Sequence, residues 1–333
     1  MKTLSKLSFF LTLMAGTLMT MCSNTWLGMW MGLEINLLSI IPLMTSQMNK
    51  MESEAAMKYF ITQALASAIF LMTIIMVLPL DNQMSKIQSL VTNCAILTKM
   101  GAAPFHFWFP QVMEGLNWLN ATIMLTWQKI APMTIMMQTN KSMIFTTMIM
   151  LSAMLISGII GINQTSIKKI LAYSSINHTG WMIAAMMTNQ TTWMIYLIIY
   201  SLMTANMTLM LKTMNVYSLN QLASFMNNNK TAKLSFSMNF LSMGGIPPFI
   251  GFFPKWIVIN SMINASMFMT TVTMIIATLM TIFFYIRITM MTMIMVQAEN
   301  TINKMTTKTP AILKMNFIVL SSLILTPLMI SFI

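Results

Sequence analysis

Long apolar segments dominate the chain, and they do not alternate strictly between apolar and polar residues. A run of about twenty apolar residues crosses a bilayer as an α-helix, whereas a membrane β-barrel needs alternating strands of about ten residues. The pattern therefore predicts an all-α polytopic membrane protein with about eleven transmembrane helices. Their expected bounds are 4–22, 26–44, 59–78, 86–107, 119–138, 142–162, 170–187, 192–212, 234–259, 265–288 and 311–330, with a short surface or half-helix over 110–117.

Two of these helices carry sequence breaks. The fourth is interrupted near Gly101–Pro104 and the ninth at Gly244–Pro254, because glycine and proline weaken or end a helix. The breaks lie five helices apart, and an odd number of spans inverts a tandem repeat in the membrane. We therefore expect two inverted five-helix units, 1–138 and 142–288, followed by a C-terminal helix over 311–330. Interrupted helices at matching positions indicate a transport site at mid-membrane.

The polar stretches between helices are expected to be loops. One loop between the second and third helices is expected to hold Lys50, Glu52, Glu54 and Lys58, and the longest follows the eighth helix and holds Lys230 and Lys233.

Composition supports the membrane interpretation. The chain is 57% hydrophobic and 7% charged, with a mean hydropathy of +0.74, whereas a soluble domain has about a quarter of its residues charged. The net charge is +12, but the basic residues fall in short loops, as topology signals do. They do not cluster as a nucleic-acid-binding face would. Two cysteines in apolar segments indicate neither a disulfide framework nor a metal site.

The loop charges predict an orientation. Lys86 and Lys141 fall on one side, whereas the side that holds the N-terminus gathers Lys2, Lys6, Lys50, Lys58, Lys168, Lys169, Lys212, Lys230, Lys233, Arg287, Lys304, Lys308 and Lys314. The 46 methionines suggest a mitochondrial genetic code, and Met1 leads into the first helix without a transit peptide. We therefore expect a mitochondrial inner-membrane protein, with its N-terminus in the matrix and its C-terminus in the intermembrane space.

Of the charged residues within the predicted bounds, four lie inside spans and are not assigned to a loop, and they are Glu34, Lys99, Lys129 and Lys255. Insertion of a lysine at mid-membrane costs about 2.5–3.5 kcal/mol, so such residues usually serve ion or proton pathways. Burial favours a neutral amine and a nearby carboxylate favours the charged one. Lysine can therefore switch charge, which arginine in effect cannot. The alternatives are that Lys99 snorkels to the interface and that the charges form structural ion pairs.

The two histidines have less specific surroundings. His106 lies beside the first break, where a proton-shuttle role is reasonable. His178 is either a relay member or a packed, hydrogen-bonded side chain. Glu114, between two helices, is expected at the surface or in a contact. Two histidines with no acidic or cysteine cluster nearby make a poor metal site.

Five stretches of the chain carry a family resemblance. They are Trp26–Asn36, Lys99–Trp108, Trp127–Pro132, Tyr173–Trp181 and Gly244–Trp256. In this order they resemble the subunit 2 family of mitochondrial respiratory complex I (NADH:ubiquinone oxidoreductase), which consists of antiporter-like, proton-pumping membrane subunits. Bacterial members carry three additional N-terminal helices, and this chain is expected to begin after them.

The resemblance implies a horizontal proton relay. A glutamate of an early helix pairs with a lysine on the first broken helix, and two more lysines continue the axis. Matched by motif, these are Glu34, Lys99, Lys129 and Lys255; His106 and His178 are candidates from their own surroundings only. Implied partners are the neighbouring antiporter-like subunit 4, small subunit 4L, supernumerary subunits and lipids including cardiolipin, with no nucleic acid.

No cofactor is expected in this chain, because it has no dinucleotide fingerprint and too few cysteines for a cluster. NADH, FMN, iron–sulfur clusters and ubiquinone are expected in other subunits of the complex. Two alternatives remain open: a free-standing cation/proton antiporter, and a structural membrane subunit with a vestigial pathway.

Overall fold

The computed structural model describes residues 2–45, 49–77, 85–139, 142–227, 230–247 and 249–294, and all its regular elements are helices. A 3₁₀ turn spans Trp127–Lys129. The α-helices of the described part are α1 (Lys2–Cys22), α2 (Trp26–Met44), α3 (Lys50–Val77), α4 (Lys86–Met100), α5 (Trp108–Gly115), α6 (Trp118–Leu125), α7 (Ile130–Gln138), α8 (Met143–Ile162), α9 (Ile167–Thr188), α10 (Gln190–Met214), α11 (Leu219–Asn227), α12 (Lys230–Gly244), α13 (Phe252–Asn264) and α14 (Phe268–Ile294).

Six of the described helices are long and apolar enough to cross a membrane. They are α1, α2, α3, α8, α10 and α14. This confirms the expected all-helical, membrane-type architecture. The predicted last helix, 311–330, and the charged loop before it lie outside the described residues.

The chain divides into two compact units, Met1–Ile149 and Met150–Ile333. In the first unit, α1 and α2 pack closely through facing glycines. A Cβ atom on Gly32 would lie 2.8 Å from the Gly16 carbonyl oxygen, and one on Gly16 would lie 3.0 Å from the Gly32 carbonyl oxygen. Only residues without a side chain allow the two backbones to approach this closely.

Helix α3 connects this pair to the rest of the first unit, since it contacts α2, α4 and α5. Its contact with α5 is also close, because a Cβ atom on Gly115 would lie 2.5 Å from the Met51 carbonyl oxygen.

In the second unit, α9 is buried on all sides. Every residue from Ile170 to Met186 is buried, and α9 contacts α10, α13 and α14. A helix that meets lipid exposes one apolar stripe, so α9 lies in the interior of this unit.

The prediction of a polar loop over 50–58 is wrong. This stretch is the beginning of α3. Asn49 donates a hydrogen bond from Nδ2 to Glu52 Oε1 at 3.1 Å, which ties the first turn together, and the Glu52 side chain is 2% exposed. The helix therefore begins nine residues earlier than the apolar pattern suggested.

The polar stretch after α10 is likewise more helical than expected. Helix α10 ends at Met214, where the next residue, Asn215, is left-handed with φ 51°. Helix α11 follows within the expected loop. Helix α12 begins at Lys230, so Lys233 lies on a helix and not in a loop.

The breaks fall near their predicted positions but differ in extent. Helix α4 ends at Met100, not at Phe107, because Gly101 takes the left-handed conformation with φ 67°. The ninth predicted span resumes as α13 at Phe252 and continues to Asn264. The predicted helix over 119–138 is also wrong as a continuous element, since the 3₁₀ turn interrupts it.

Candidate functional site

Lys99 lies in the last turn of α4, immediately before the first break. Its side chain is 8% exposed. The left-handed Gly101 ends the helix there, and the Gly101 amide donates to the Thr98 carbonyl oxygen at 3.1 Å. The C-terminal end of a helix carries partial negative charge and stabilises a cation. The helix end therefore offsets part of the cost of burying a charge at Lys99.

A small polar cavity adjoins Lys99. Its volume is about 10 Å³, which is close to the minimum that one water molecule needs. It is lined by Leu33, Asn36, Leu37, Tyr59, Gln63, Lys99, Gln128 and Pro132. A site of this size with several polar side chains can hold one water molecule beside the lysine.

Hydrogen bonds link the polar residues that line this cavity. The Gln128 amide donates from Nε2 to Asn36 Oδ1 at 2.8 Å and accepts at Oε1 from the Tyr59 hydroxyl at 3.4 Å. Gln63 Nε2 donates to the Lys99 carbonyl oxygen at 3.4 Å. The network joins three helices and the 3₁₀ turn, so it fixes the walls of the cavity.

Glu34 is the acidic residue that the family resemblance pairs with Lys99. It lies half-buried on α2 and interacts electrostatically with Lys99. The structure thus brings together a carboxylate and a lysine that are 65 positions apart in the chain. The role of the two residues as a relay pair stays a prediction.

Lys129 occupies the 3₁₀ turn between α6 and α7. It is 3% exposed, and its Nζ atom lies 5.6 Å from the centre of the Phe109 ring. An aromatic face attracts a cation at this distance. Gln128, the preceding residue, lines the Lys99 cavity, so the turn that carries Lys129 also forms part of the Lys99 site.

His106 lies in the first break and is 1% exposed. Its Nδ1 donates to the Pro104 carbonyl oxygen at 3.2 Å, and its ring packs 4.5 Å from the Phe107 ring. The bond to a carbonyl places a proton on Nδ1. Glu114, by contrast, is exposed on α5.

In the second unit, Lys255 lies in the first turn of α13, just after the second break. It is 6% exposed, and its Nζ donates to the Gly244 carbonyl oxygen at 2.7 Å. Gly244 is the last residue of α12, so the ammonium pairs with an end carbonyl of the preceding helix. Gly245 has φ 75°, and a Cβ atom there would lie 2.9 Å from Lys255 Nζ. Glycine is therefore required beside the lysine.

His178 lies on α9 in the interior of the second unit and is 2% exposed. Its Nδ1 is 2.8 Å from the Tyr196 hydroxyl, and its ring centre is 4.9 Å from that of Tyr200. The predicted hydrogen-bonded packing of this histidine is present. Its role in a relay stays a prediction.

The sequence reasoning missed the residues that surround Lys99. They are Asn36, Tyr59, Gln63 and Gln128. Polar side chains within spans are frequent in this chain, and none of these stood out by type. Two weak signals were available, since Asn36 follows Glu34 by two positions and Gln128 directly precedes Lys129. Among the described residues, no group of three histidine, cysteine, aspartate or glutamate side chains could hold a metal ion.

Comparison with solved structures shows a shared fold. A chain of respiratory complex I from Thermus thermophilus superposes with a TM-score of 0.84 at 23% identity, covering 96% of this chain and 78% of that one. A chain of the Mrp complex from Dietzia sp. DQ12-45-1b gives 0.73 at 14% identity, covering 85% of this chain and 59% of that one.

Sequence comparison gives the family. The chain is 45% identical over 293 residues to NADH-ubiquinone oxidoreductase chain 2 of Anopheles gambiae, covering 86% of each chain. It is 42% identical over 300 residues to the protein of the same name from Locusta migratoria, covering 89% of this chain and 87% of that one. The family described as NADH:quinone oxidoreductase/Mrp antiporter, TM, matches residues 23–281. The chain belongs to this NADH:quinone oxidoreductase/Mrp antiporter family of transmembrane proteins.

Proposed function

We propose that this chain is a core membrane subunit of respiratory complex I. It moves protons across the mitochondrial inner membrane, driven by quinone reduction elsewhere in the complex. The support is the family membership together with relatives named NADH-ubiquinone oxidoreductase chain 2 that match most of the chain. The chain alone is expected to oxidise no NADH and to bind no NADH, FMN, iron–sulfur cluster or ubiquinone.

The observation that carries the proposal is the Lys99 site. A buried lysine interacts with a half-buried carboxylate beside a cavity of water size. A structural ion pair needs no cavity. A proton-transfer site whose groups are not in direct hydrogen-bond contact does, because the proton then moves through a water molecule.

The relay uses residues that can be charged or neutral. A change near Glu34 would alter the protonation of Lys99. The proton would then pass through Lys129 towards Lys255, along water and polar side chains. His106 and His178 would serve as further members. The use of lysine at all three basic positions suits titration, since arginine stays charged.

The finer architecture is part of the same proposal. The chain would cross the membrane eleven times as two inverted five-helix units, about 1–138 and 142–288, with a last helix over 311–330. The loop charges support an N-terminus in the matrix and a C-terminus in the intermembrane space. Partners would be subunits 4 and 4L, supernumerary subunits and lipids including cardiolipin.

The main alternative is a free-standing cation/proton antiporter. The likeness to the Mrp complex is one of fold at 14% identity, whereas relatives at 42–45% identity carry a complex I name. Membership in complex I is therefore the better conclusion. The structural-subunit alternative would hold if neutralising Glu34 and the three lysines left pumping intact.

The test is Lys99→Met in the assembled complex in sealed vesicles, with quinone reduction and proton uptake recorded together. Methionine keeps the length of the side chain and removes its charge. Both rates should fall at least tenfold, as for a lost proton-transfer group. Lys58→Met is the matched control, because Lys58 is exposed on α3 in the same unit. Unchanged rates for Lys99→Met in an intact complex would contradict the proposal.

A further inference from the structure

The contact between His178 and Tyr196 joins two fully buried side chains. Tyr196 lies on α10 and is 0% exposed, and His178 on α9 is 2% exposed. Their hydroxyl oxygen and Nδ1 are 2.8 Å apart, which is the distance of a good hydrogen bond. A buried polar group without a partner is costly, so this bond stabilises the histidine in its apolar surroundings.

Aromatic rings restrict the orientation of the imidazole. The Tyr200 ring, one helical turn after Tyr196 on α10, lies 4.9 Å from the His178 ring at an interplanar angle of 43°. The Tyr196 ring lies 5.9 Å away at 58°. The Tyr200 hydroxyl bonds to Ser175. Tyr200 therefore contacts the imidazole with its ring, whereas Tyr196 contacts it through its hydroxyl.

A tyrosine hydroxyl can satisfy Nδ1 in every charge state of the histidine. It donates to Nδ1 when that nitrogen is unprotonated, and it accepts from Nδ1–H when the ring carries a proton there, because a hydroxyl has one donor and two lone pairs. In each case the bond occupies Nδ1 and leaves proton exchange to Nε2. Protonation of His178 therefore needs no loss of a hydrogen bond.

The geometry points to Tyr196 as the positioning residue for His178, holding the ring so that Nε2 is the nitrogen that takes part in proton transfer. This inference rests on the proposed function, and it deepens it by naming the residue that controls one relay member. Tyr196 itself does not carry the transferred proton.

The experiment is Tyr196→Phe in the assembled complex in sealed vesicles, with proton uptake and quinone reduction both normalised to assembled complex. Removing the hydroxyl leaves Nδ1 without this partner, and the loss of one buried hydrogen bond corresponds to about a fivefold fall in the coupled rate. Tyr285→Phe is the matched control, because Tyr285 is a buried tyrosine of the same unit whose hydroxyl pairs with Ser174.

A double-mutant cycle separates positioning from packing. If Tyr196 acts through His178, adding Tyr196→Phe to His178→Asn should lower the rate no further than His178→Asn alone. Independent, multiplying effects would overturn the inference. So would equal rates for Tyr196→Phe and Tyr285→Phe.

The same series distinguishes this inference from the proposed function. If Lys99→Met abolishes pumping while His178→Asn and Tyr196→Phe leave it intact, the role of Tyr196 falls and the proposed function stands. If Lys99→Met has no effect, the proposed function itself falls. Should Tyr196→Phe lower the amount of assembled complex, normalised rates of the assembled fraction still complete the cycle.

Discussion

The two broken helices hold their lysines in different ways. In the first unit, Lys99 precedes the break and adjoins a cavity lined by amide and phenol side chains. In the second unit, Lys255 follows the break and bonds directly to the Gly244 backbone carbonyl at 2.7 Å. Each lysine is nevertheless associated with the C-terminal end of a helix: Lys99 belongs to the last turn of α4, and Lys255 donates to the last residue of α12. The helix end is common to the two sites, and the partners around it differ.

This difference predicts which substitutions matter at each site. Lys99 should respond to changes in the side chains that form its cavity. Lys255 should respond to changes in the backbone of the break, and little to neutral side-chain changes around it.

The largest effect is expected for Gly245→Ala. Its φ of 75° is unfavourable for alanine, and the new Cβ would lie 2.9 Å from Lys255 Nζ. The two terms together are about 2–4 kcal/mol. The Lys255–Gly244 bond should break, and coupled proton uptake should fall at least tenfold. The measurement is proton uptake per assembled complex.

Gly244→Ala is the control for that prediction. Its Cβ would meet its nearest neighbour, the Tyr285 ring, at 3.5 Å, an ordinary contact. It should therefore retain most of the uptake rate. If the two glycine variants lose the same share of the uptake rate, the break tolerates no side chain at all. The Lys255 contact would then have no special role.

An intermediate effect is expected for Gln128→Leu in the first unit. The Asn36 oxygen and the Tyr59 hydroxyl would each lose a partner, at a cost of about 1–3 kcal/mol. The thermal inactivation temperature of the complex should fall, and so should proton uptake. If Gln128→Leu behaves as the wild type does, the hydrogen-bond network is not needed to form the Lys99 site.

The smallest effect is expected for Tyr59→Phe. Its bond to Gln128 is long, at 3.4 Å, and Gln128 keeps its shorter bond to Asn36. The loss should be about 0.5 kcal/mol, visible as a rate within twofold of the wild type. A loss larger than that of Gln128→Leu would mean that the hydroxyl has a role beyond this network.

Local signals explain what the sequence predicted well. The breaks were visible because glycine and proline act on the backbone where they stand, and Gly101 and Gly245 both adopt positive φ. Lone charges in apolar segments were visible because they are costly in lipid. The interaction of Glu34 with Lys99 came from the resemblance, since no local pattern joins positions so distant.

Non-local packing explains what was missed. The turn at Lys129 contains no glycine, and its nearest proline, Pro132, lies within the following helix. The charged residues in the first turns of α3 predicted a loop. The Asn49–Glu52 bond and the close contact with Gly115 stabilise a helix there instead. Asn36 and Gln128 become a pair only when α2 and the 3₁₀ turn meet.

The burial of α9 has a consequence for biogenesis. This helix is not among the six that are apolar enough to span on their own, and it is buried over its whole interior by later parts of the chain, α10, α13 and α14. Polar spans gain stability in a bilayer from neighbouring helices and not from lipid. Helix α9 is therefore synthesised before three of the helices that bury it, and it reaches its full stability in the bilayer only after α10, α13 and α14 have been added.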